Sequence, residues 1–398
     1  MAGVTPAAHS MASAKANPVL VFLMVSSVMA WLVLSSVSVA PNRIVPGSSV
    51  GVFGVAGWPG VVLGLLPVII AGVLALKSSR RQLVVVALLV VLTLAALPLW
   101  LALAAHNLVS PELPGARLGI GAGIWVVLFL LLLSVIEVRT RLGLSRWQGG
   151  LLLLIPMMSF SAVLIATPWL DSLALRREFV TRSDAFYTAI GEHLLLVSAS
   201  VGCGLVIGVT LALIMRHWPR LRGPGFALLN FLQTIPSLAL FGLLIAPLAW
   251  LAANHPWLAS LGISGIGWAP ALLALIGYSL LPLVRNTFVA LDDVDPGVID
   301  AARGMGMTSG QVFRQVRLPL ALPVLLEGIR ITTVQAIGLA AVAALIGAGG
   351  LGRFIFQGLG QAAMDLVLLG ALPILIMALL ADALLGALGE WLQPGGAA

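Results

Sequence analysis

Ten hydrophobic runs, each long enough to cross a bilayer at roughly 20 residues per helix, govern what this chain can fold into. They are read at about 19–40, 58–76, 83–105, 118–136, 149–170, 190–214, 225–250, 268–290, 320–346 and 366–390. Inside hydrocarbon the backbone has no water to bond to, so each run must satisfy its own amides as a helix. With 60% hydrophobic and 9% charged residues over 398 positions, the apolar excess is far beyond what a soluble core uses. A mean hydropathy of +1.12 agrees. The expected class is an all-α polytopic membrane protein of about ten transmembrane helices.

The first run has Lys15 ahead of it and Ser38-Val39-Ala40 at its end, which is the outline of a signal peptide. Its apolar stretch is longer than the roughly 7–15 residues of a signal h-region, so an uncleaved span is expected. Cys203 is the only cysteine and lies within an apolar run, which leaves no intramolecular disulfide and no cysteine-based metal site. The net charge of +7 and the pI of about 10.9 would point to nucleic acid in a soluble protein. Here the cations sort by loop instead, and no nucleic-acid partner is expected. Lys77, Arg80 and Arg81, then Arg139, Arg141 and Arg146, then Arg216, Arg220 and Arg222 occupy alternate connections. Arg303, Arg314 and Arg317 continue the series, flanked by Arg285 and Arg330. The opposite connections hold Arg43, Arg117 and Arg353, plus a mixed segment from Asp171 to Asp184 in which Arg176, Arg177 and Arg182 balance Asp171, Glu178 and Asp184. The positive-inside rule then puts both termini in the cytoplasm.

The mixed segment divides the chain into an N-terminal region, 1–184, of about five accessory spans and a C-terminal region, 185–398, of about five more. The texture changes there. The later spans carry Asn230, Gln233, Thr234, Ser237, Tyr278, Ser279, Asn286 and Gln335. Polar groups at membrane depth are costly unless they face protein or a wet path. Asn230, Gln233, Thr234, Ser237, Tyr278, Asn286 and Gln335 are therefore candidates for lining a translocation path. Pro236 and Pro282 sit inside the seventh and eighth runs and predict kinks, with freed carbonyls beside Gln233 and Asn286. Gly204 and Gly208 form a Gly-x-x-x-Gly face that permits close helix approach.

Catalytic chemistry is lacking. Neither Lys15 nor Lys77 follows a glycine, so the chain has no phosphate-binding Walker loop. His9, His106, His193, His217 and His255 have no ligand spacing and read as loop or span-end residues, and no metal site is expected. Neither a Gly-x-Ser-x-Gly nor a His-Glu-x-x-His string occurs, which removes the usual hydrolases. Gly347, Gly349 and Gly352 satisfy Gly-x-Gly-x-x-Gly, but they follow a membrane run rather than a strand, so no dinucleotide is expected. The string reads as a close-packed outer turn, with Gly347, Gly349, Gly350 and Gly352 as its candidate residues. Glu327 is the acid nearest mid-membrane in the second half, and Arg330 stands three residues on in pairing position. So weak a titratable path argues for an energy source other than protons.

Between the eighth and ninth runs lies 292–319, the longest non-hydrophobic stretch of the second half. Asp295 before Pro296 opens a short helix, as N-cap and first helical residue. Val298, Ala301, Ala302 and Met305 share one face of it. Gly306 is placed to end it in the left-handed conformation, and Thr308 with Gln311 forms a capping box for a second helix. Val312, Phe313 and Val316 give that helix an apolar side, Arg314 and Arg317 a basic one, and Leu318-Pro319 is expected to stop it. Two short amphipathic helices about a glycine elbow make a surface suited to docking a partner.

Asp300-Ala301-Ala302, Gly306, Val316, Leu318 and Pro319 keep every spacing of the pattern Glu-Ala-Ala-x3-Gly-x9-Ile-x-Leu-Pro, with Asp for Glu and Val for Ile. This resembles the EAA loop of ABC importer permeases. Gln233 to Gly242, Tyr278 to Thr287 and Ile346 to Gly352 look like segments of the osmoprotectant permeases within that family. The resemblance covers about 185–398 and implies a type I permease core with a coupling loop at 292–319. It implies that Asp300, Ala301, Ala302, Gly306, Leu318 and Pro319 couple the spans to a separate ATP-binding subunit. ATP and Mg²⁺ would be used by that subunit, and the chain itself would bind no cofactor and not be an enzyme. A second permease copy or paralogue, a periplasmic substrate-binding protein and the lipid bilayer of a bacterial inner membrane complete the expected partners. The cargo implied is a small osmoprotectant such as glycine betaine, choline or carnitine. The alternatives are an ion- or proton-driven carrier, or a permease for an amino acid or sulfonate.

Overall fold

The computed structural model describes residues 16–392 apart from 44, 78, 111 and 167, and not the side chains of 146, 147 and 166. His9, Lys15 and the side chain of Arg146 therefore lie outside the described residues. The chain separates into two compact units, Met1–Val180 and Thr181–Ala398.

The first unit contains α1 (Pro18–Val33), β1 (Val37–Ala40), β2 (Ser48–Val50), α2 (Val52–Ala75), α3 (Arg80–Leu108), β3 (Arg117–Ile120), α4 (Ala122–Leu142), α5 (Arg146–Ala166) and α6 (Ala174–Thr181). The first run is shorter than its apolar length predicts. Its helix ends at Val33, and Ser38-Val39-Ala40 belongs to β1, the middle strand of an antiparallel sheet ordered β2-β1-β3. Val37 and Val39 are β-branched and as apolar as helical residues, so hydropathy alone extends the span through them. The long helices pack around Leu20, Met24, Val86, Leu118 and Leu131, all nearly inaccessible. α2 breaks at Ala56 and Gly57, just ahead of Pro59.

Both ends of this unit are tied by polar side chains. At one, buried Asn17 caps α1 through Leu20, donates from its backbone to the Ala75 carbonyl at 2.9 Å, and donates from Nδ2 to Glu137 of α4 at 2.8 Å. At the sheet end, Glu178 of α6 receives Arg43 and Arg117 at 2.9 Å each. Arg43 and Arg117 are thus ion-paired rather than loose loop cations, and the Glu178 side chain is only 4% exposed. Arg176 pairs with Asp171 at 2.5 Å.

The second unit contains α7 (Ser183–His217), α8 (Arg222–Thr234), α9 (Ser237–Asn254), α10 (Pro256–Ser260), α11 (Trp268–Asp292), α12 (Pro296–Gly304), α13 (Ser309–Gln311), α14 (Leu318–Val342), α15 (Gly352–Gly360) and α16 (Met364–Trp391). α11 runs between α7 and α14, and α14 between α11 and α16. The close approach expected of Gly204 and Gly208 is made against α11. An added Cβ would lie 2.9 Å from Ser279 Cβ and 3.0 Å from Leu283 Cβ. The core collects Phe241, Leu275, Ile337 and Ala340. The seventh run is two helices, α8 and α9, broken at Ile235-Pro236 rather than one kinked span.

Among the described residues nine helices are long and apolar enough to cross a membrane, and α1, with 16 residues, falls just short. The all-α polytopic class stands, with the small sheet as an addition. Removing Glu178 takes a charged hydrogen-bond acceptor from Arg117, whose side chain is only 17% exposed, and should cost about 1–3 kcal/mol. Glu178→Ala should therefore lower the thermal unfolding midpoint of the detergent-solubilised protein by several degrees. An unchanged midpoint would show that the cluster holds nothing.

Candidate functional site

The loop between α11 and α14 folds as its local signals direct. Asp295 accepts from the Gly297 amide at 2.8 Å and caps α12, with Pro296 in the first turn. Gly306 has φ +85°, and an added Cβ would meet nothing, so the demand there is conformational rather than steric. Thr308 and Gln311 form the full capping box: the Thr308 amide donates to Gln311 Oε1 at 2.8 Å, and the Gln311 amide donates to Thr308 Oγ1 at 3.4 Å. Ile299 and Ala302 are the buried side of α12, packed with Leu291, Val294 and Val312. Val298 and Met305 are 41% and 77% exposed, and Ala301 is exposed between them. The apolar face read from the sequence is thus turned outward except for Ala302. Asp300 also points outward, 74% exposed and only 3.6 Å from Arg303.

One sequence expectation fails here. Leu318-Pro319 does not stop the second helix. α13 passes through a π-helical stretch, Val312–Arg317, directly into α14. Proline removes an amide and crowds the carbonyl four residues back in an α-helix. A π turn shifts the hydrogen-bond partner by one residue and absorbs both defects. Beside this junction Arg216 of α7 pairs with Asp292 at the end of α11.

The polar residues of the later spans divide into two sets. Gln233, Tyr278 and the α8–α9 break come together as a reciprocal clamp. Pro282 has no amide, so the Tyr278 carbonyl four residues earlier lacks its helical donor. Gln233 Nε2 donates to that carbonyl at 2.8 Å. In return the Tyr278 hydroxyl donates to the Ile235 carbonyl, which the break before Pro236 leaves without one. The sequence foresees the freed carbonyl but not its partner. Tyr278 is buried at 6% exposure and Gln233 half-buried. Asn230 and Thr234 instead share an exposed face of α8, and Thr234 bonds back to the Phe231 carbonyl at 2.7 Å. Ser237 and Gln335 are half-buried. Asn286 packs on Gly328 of α14, where an added Cβ would lie 2.6 Å from its own Cβ.

At the other end of α14 the glycine turn has three left-handed residues, Gly347, Gly349 and Gly350, at φ +80°, +79° and +75°. Gly352 lies against the Ala341 carbonyl, where no Cβ fits. The Gly350 amide donates to Glu192 Oε2 of α7 at 2.7 Å, and the Gly267 amide donates to the Ile346 carbonyl at 2.7 Å. His193 is neither a loop nor a span-end residue. It is buried at 1% exposure, and its Nε2 donates to the Ile337 carbonyl at 3.1 Å.

Sequence reasoning missed Glu192, His193 and Asp382. Asp382 of α16 joins Glu327 on one guanidinium: Arg330 reaches Asp382 at 2.6 and 2.9 Å and Glu327 at 3.2 Å. Glu327 is thus not alone among acids in the later spans. The available signals were an acid beside a histidine at the head of an apolar run, and a lone aspartate in the last one.

The clamp makes a quantitative prediction. Gln233→Leu strips a buried carbonyl of its donor and should cost about 1–3 kcal/mol. In a Pro282→Ala background the restored amide can serve Tyr278, so Gln233→Leu should then cost little. Thermal unfolding of the four proteins in detergent measures this coupling, and additive effects would refute the clamp.

Residues 204–395 match the family described as the binding-protein-dependent transport system inner membrane component. Residues 15–176 match the N-terminal domain of the ABC transporter permease YehY. The osmoprotectant import permease protein OsmW of Salmonella typhimurium is 45% identical over 207 residues, 52% of this chain and 90% of that protein. The carnitine transport permease protein OpuCB of Listeria monocytogenes is 37% identical over 203 residues, 51% of this chain and 86% of that one. The glycine betaine/carnitine/choline transport system permease protein OpuCB of Bacillus subtilis is 34% identical over 206 residues, 52% and 88% of the two chains. With 34–45% identity over 86–90% of the length of these relatives, the chain belongs to the family of inner-membrane permease components of binding-protein-dependent ABC importers.

Proposed function

We propose that this permease carries small osmoprotectants of the glycine betaine, choline and carnitine class, driven by ATP hydrolysed in a separate subunit. The relatives named for those solutes support the cargo over an amino acid or a sulfonate. Family membership supports an ATP-driven importer over an ion-driven carrier.

The observation that carries the coupling role is the outward apolar stripe of α12, Val298, Ala301 and Met305, beside the exposed carboxylate of Asp300. Exposed apolar surface rimmed by charge is the composition of a protein-docking patch. The ATP-binding subunit would take this stripe, with Ala302 anchoring α12 from beneath and Gly306 setting the elbow. Leu318 and Pro319 would pass its movement into α14. Asn230, Thr234 and Ser237 are the pathway candidates on the α8–α9 side, with Asn286 and Gln335 on α11 and α14. Gln233 and Tyr278 fix the break that presents them. The turn at Gly347, Gly349, Gly350 and Gly352 would border the outer mouth and face a substrate-binding protein. Both termini would then be cytoplasmic in a bacterial inner membrane. A second permease copy or paralogue would complete the pathway, and the N-terminal region would be accessory to it.

Reconstitution with the ATP-binding subunit and the binding protein tests the reading. Uptake of glycine betaine, choline or carnitine should require ATP and survive collapse of the proton gradient. Gly306→Pro forces φ to about −65° where the chain needs a positive value, and should abolish coupled uptake while membrane insertion persists. Ala301→Arg changes an exposed residue and should alter stability by no more than about 0.5 kcal/mol. It should nonetheless cut co-purification of the ATP-binding subunit at least about tenfold, the effect of one buried unpaired charge. Normal uptake by the first variant, or normal assembly by the second, would remove the loop from the coupling role.

A further inference from the structure

We propose that Glu192 is the positioning residue that latches the outer mouth of the core, by pinning the 347–352 turn to α7. This rests on the reading of that turn as part of the outer mouth.

A turn built from left-handed glycines has few side chains with which to anchor itself, so its amides must do so. The Gly350 amide is held by a carboxylate 158 residues earlier in the chain, at 2.7 Å. A hydrogen bond from a backbone amide to an ionised carboxylate is roughly twice as strong as a neutral one. Gly349 sits so close that an added Cβ would lie 2.5 Å from the same oxygen. Any larger residue there would expel the carboxylate. In the first turn of the following helix, Arg353 reaches back to the Ala185 carbonyl of α7 at 2.7 Å and lies 3.9 Å from Glu192. The stretch of α7 between Ala185 and Glu192 therefore holds both the turn and the start of α15.

The other border of the turn is fastened differently. There the Gly267 amide meets the Ile346 carbonyl, backbone to backbone. A backbone bond persists unless the chain itself rearranges, whereas a carboxylate leaves by changing rotamer. Glu192 and Arg353 are 38% and 32% exposed, so water can solvate both when they part. Release on the α7 side strands no buried charge. The turn thus has a fixed edge at Gly267 and a releasable edge at Glu192. In the outward-open state the second edge lets go and the first serves as the hinge.

The chain suits a direct test because Cys203 is its only cysteine. In a Cys203→Ser background, Ala348→Cys places a thiol in the half-buried part of the turn. Its reaction with a membrane-impermeant maleimide is followed in right-side-out and inverted vesicles, with the permease assembled on its ATP-binding subunit. Glu192→Ala should speed labelling from outside by about tenfold or more, the weight of one charged hydrogen bond. It should also leave ATP hydrolysis running with little uptake. Glu192→Gln keeps an acceptor for Gly350 and should restore most of the slow labelling, and Arg353→Ala should have the smaller effect. Hydrogen exchange at the Gly350 amide of the unsubstituted permease gives a measurement free of folding effects. Its protection should be lost when the complex is trapped with nucleotide. Unchanged labelling in Glu192→Ala, or protection that survives trapping, overturns the latch. Labelling of the parent cysteine from the inverted side alone overturns the placement of the turn, and the latch falls with it.

Discussion

Inside hydrocarbon every backbone amide and carbonyl has to find a partner within the protein, and the architecture of the core follows from how its breaks meet that demand. Where Pro282 removes an amide from α11, Gln233 supplies the missing donor. Where α8 ends before Pro236, the hydroxyl of Tyr278 does. At the glycine turn the carboxylate of Glu192 takes the Gly350 amide. At Pro319 no side chain is needed, because the helix changes its winding to a π turn. Each break sits at the edge of a candidate functional element. Irregular backbone is tolerated at membrane depth only where protein or a cavity surrounds it, so the breaks mark where the core departs from simple packing.

The N-terminal unit meets the same demand more simply. Its helices are mostly continuous, and its polar side chains gather at the two ends, Asn17 with Glu137 at one and Glu178 with two arginines at the other. Ser27 and Thr93, within its helices, bond back to carbonyls of their own helix, at 2.8 and 2.7 Å. The curated relatives match only about half of the chain.

What could be read from the sequence was what is local. Asp295 with Pro296, Gly306, and Thr308 with Gln311 each act within four residues, and each takes the predicted role. The length of each apolar run placed nearly every span for the same reason, since it is a property of one helix. The failures share a cause as well. Glu178 finds Arg43 at a separation of 135 residues, Gln233 finds Tyr278 at 45, and Glu192 finds Gly350 at 158. Nothing in one chain's order marks such partners. The overlong first span and the false stop at Pro319 are different errors: rules for α-helices were applied to a strand and to a π turn.

The passage of α13 into α14 without an intervening loop makes register, rather than flexibility, the property that joins the two ends of the core. α14 has 25 residues and extends roughly 37 Å at 1.5 Å per residue. Its face is committed along its length: Gly328 to Asn286, Arg330 to Asp382, and the Ile337 carbonyl to His193. One residue added at the junction would turn that face by about 100° relative to the loop. Most connections in a membrane protein absorb such a change as slack. This one behaves as a keyed shaft, in which the angular setting of α13 fixes which residues face α7, α11 and α16 along the whole length of α14.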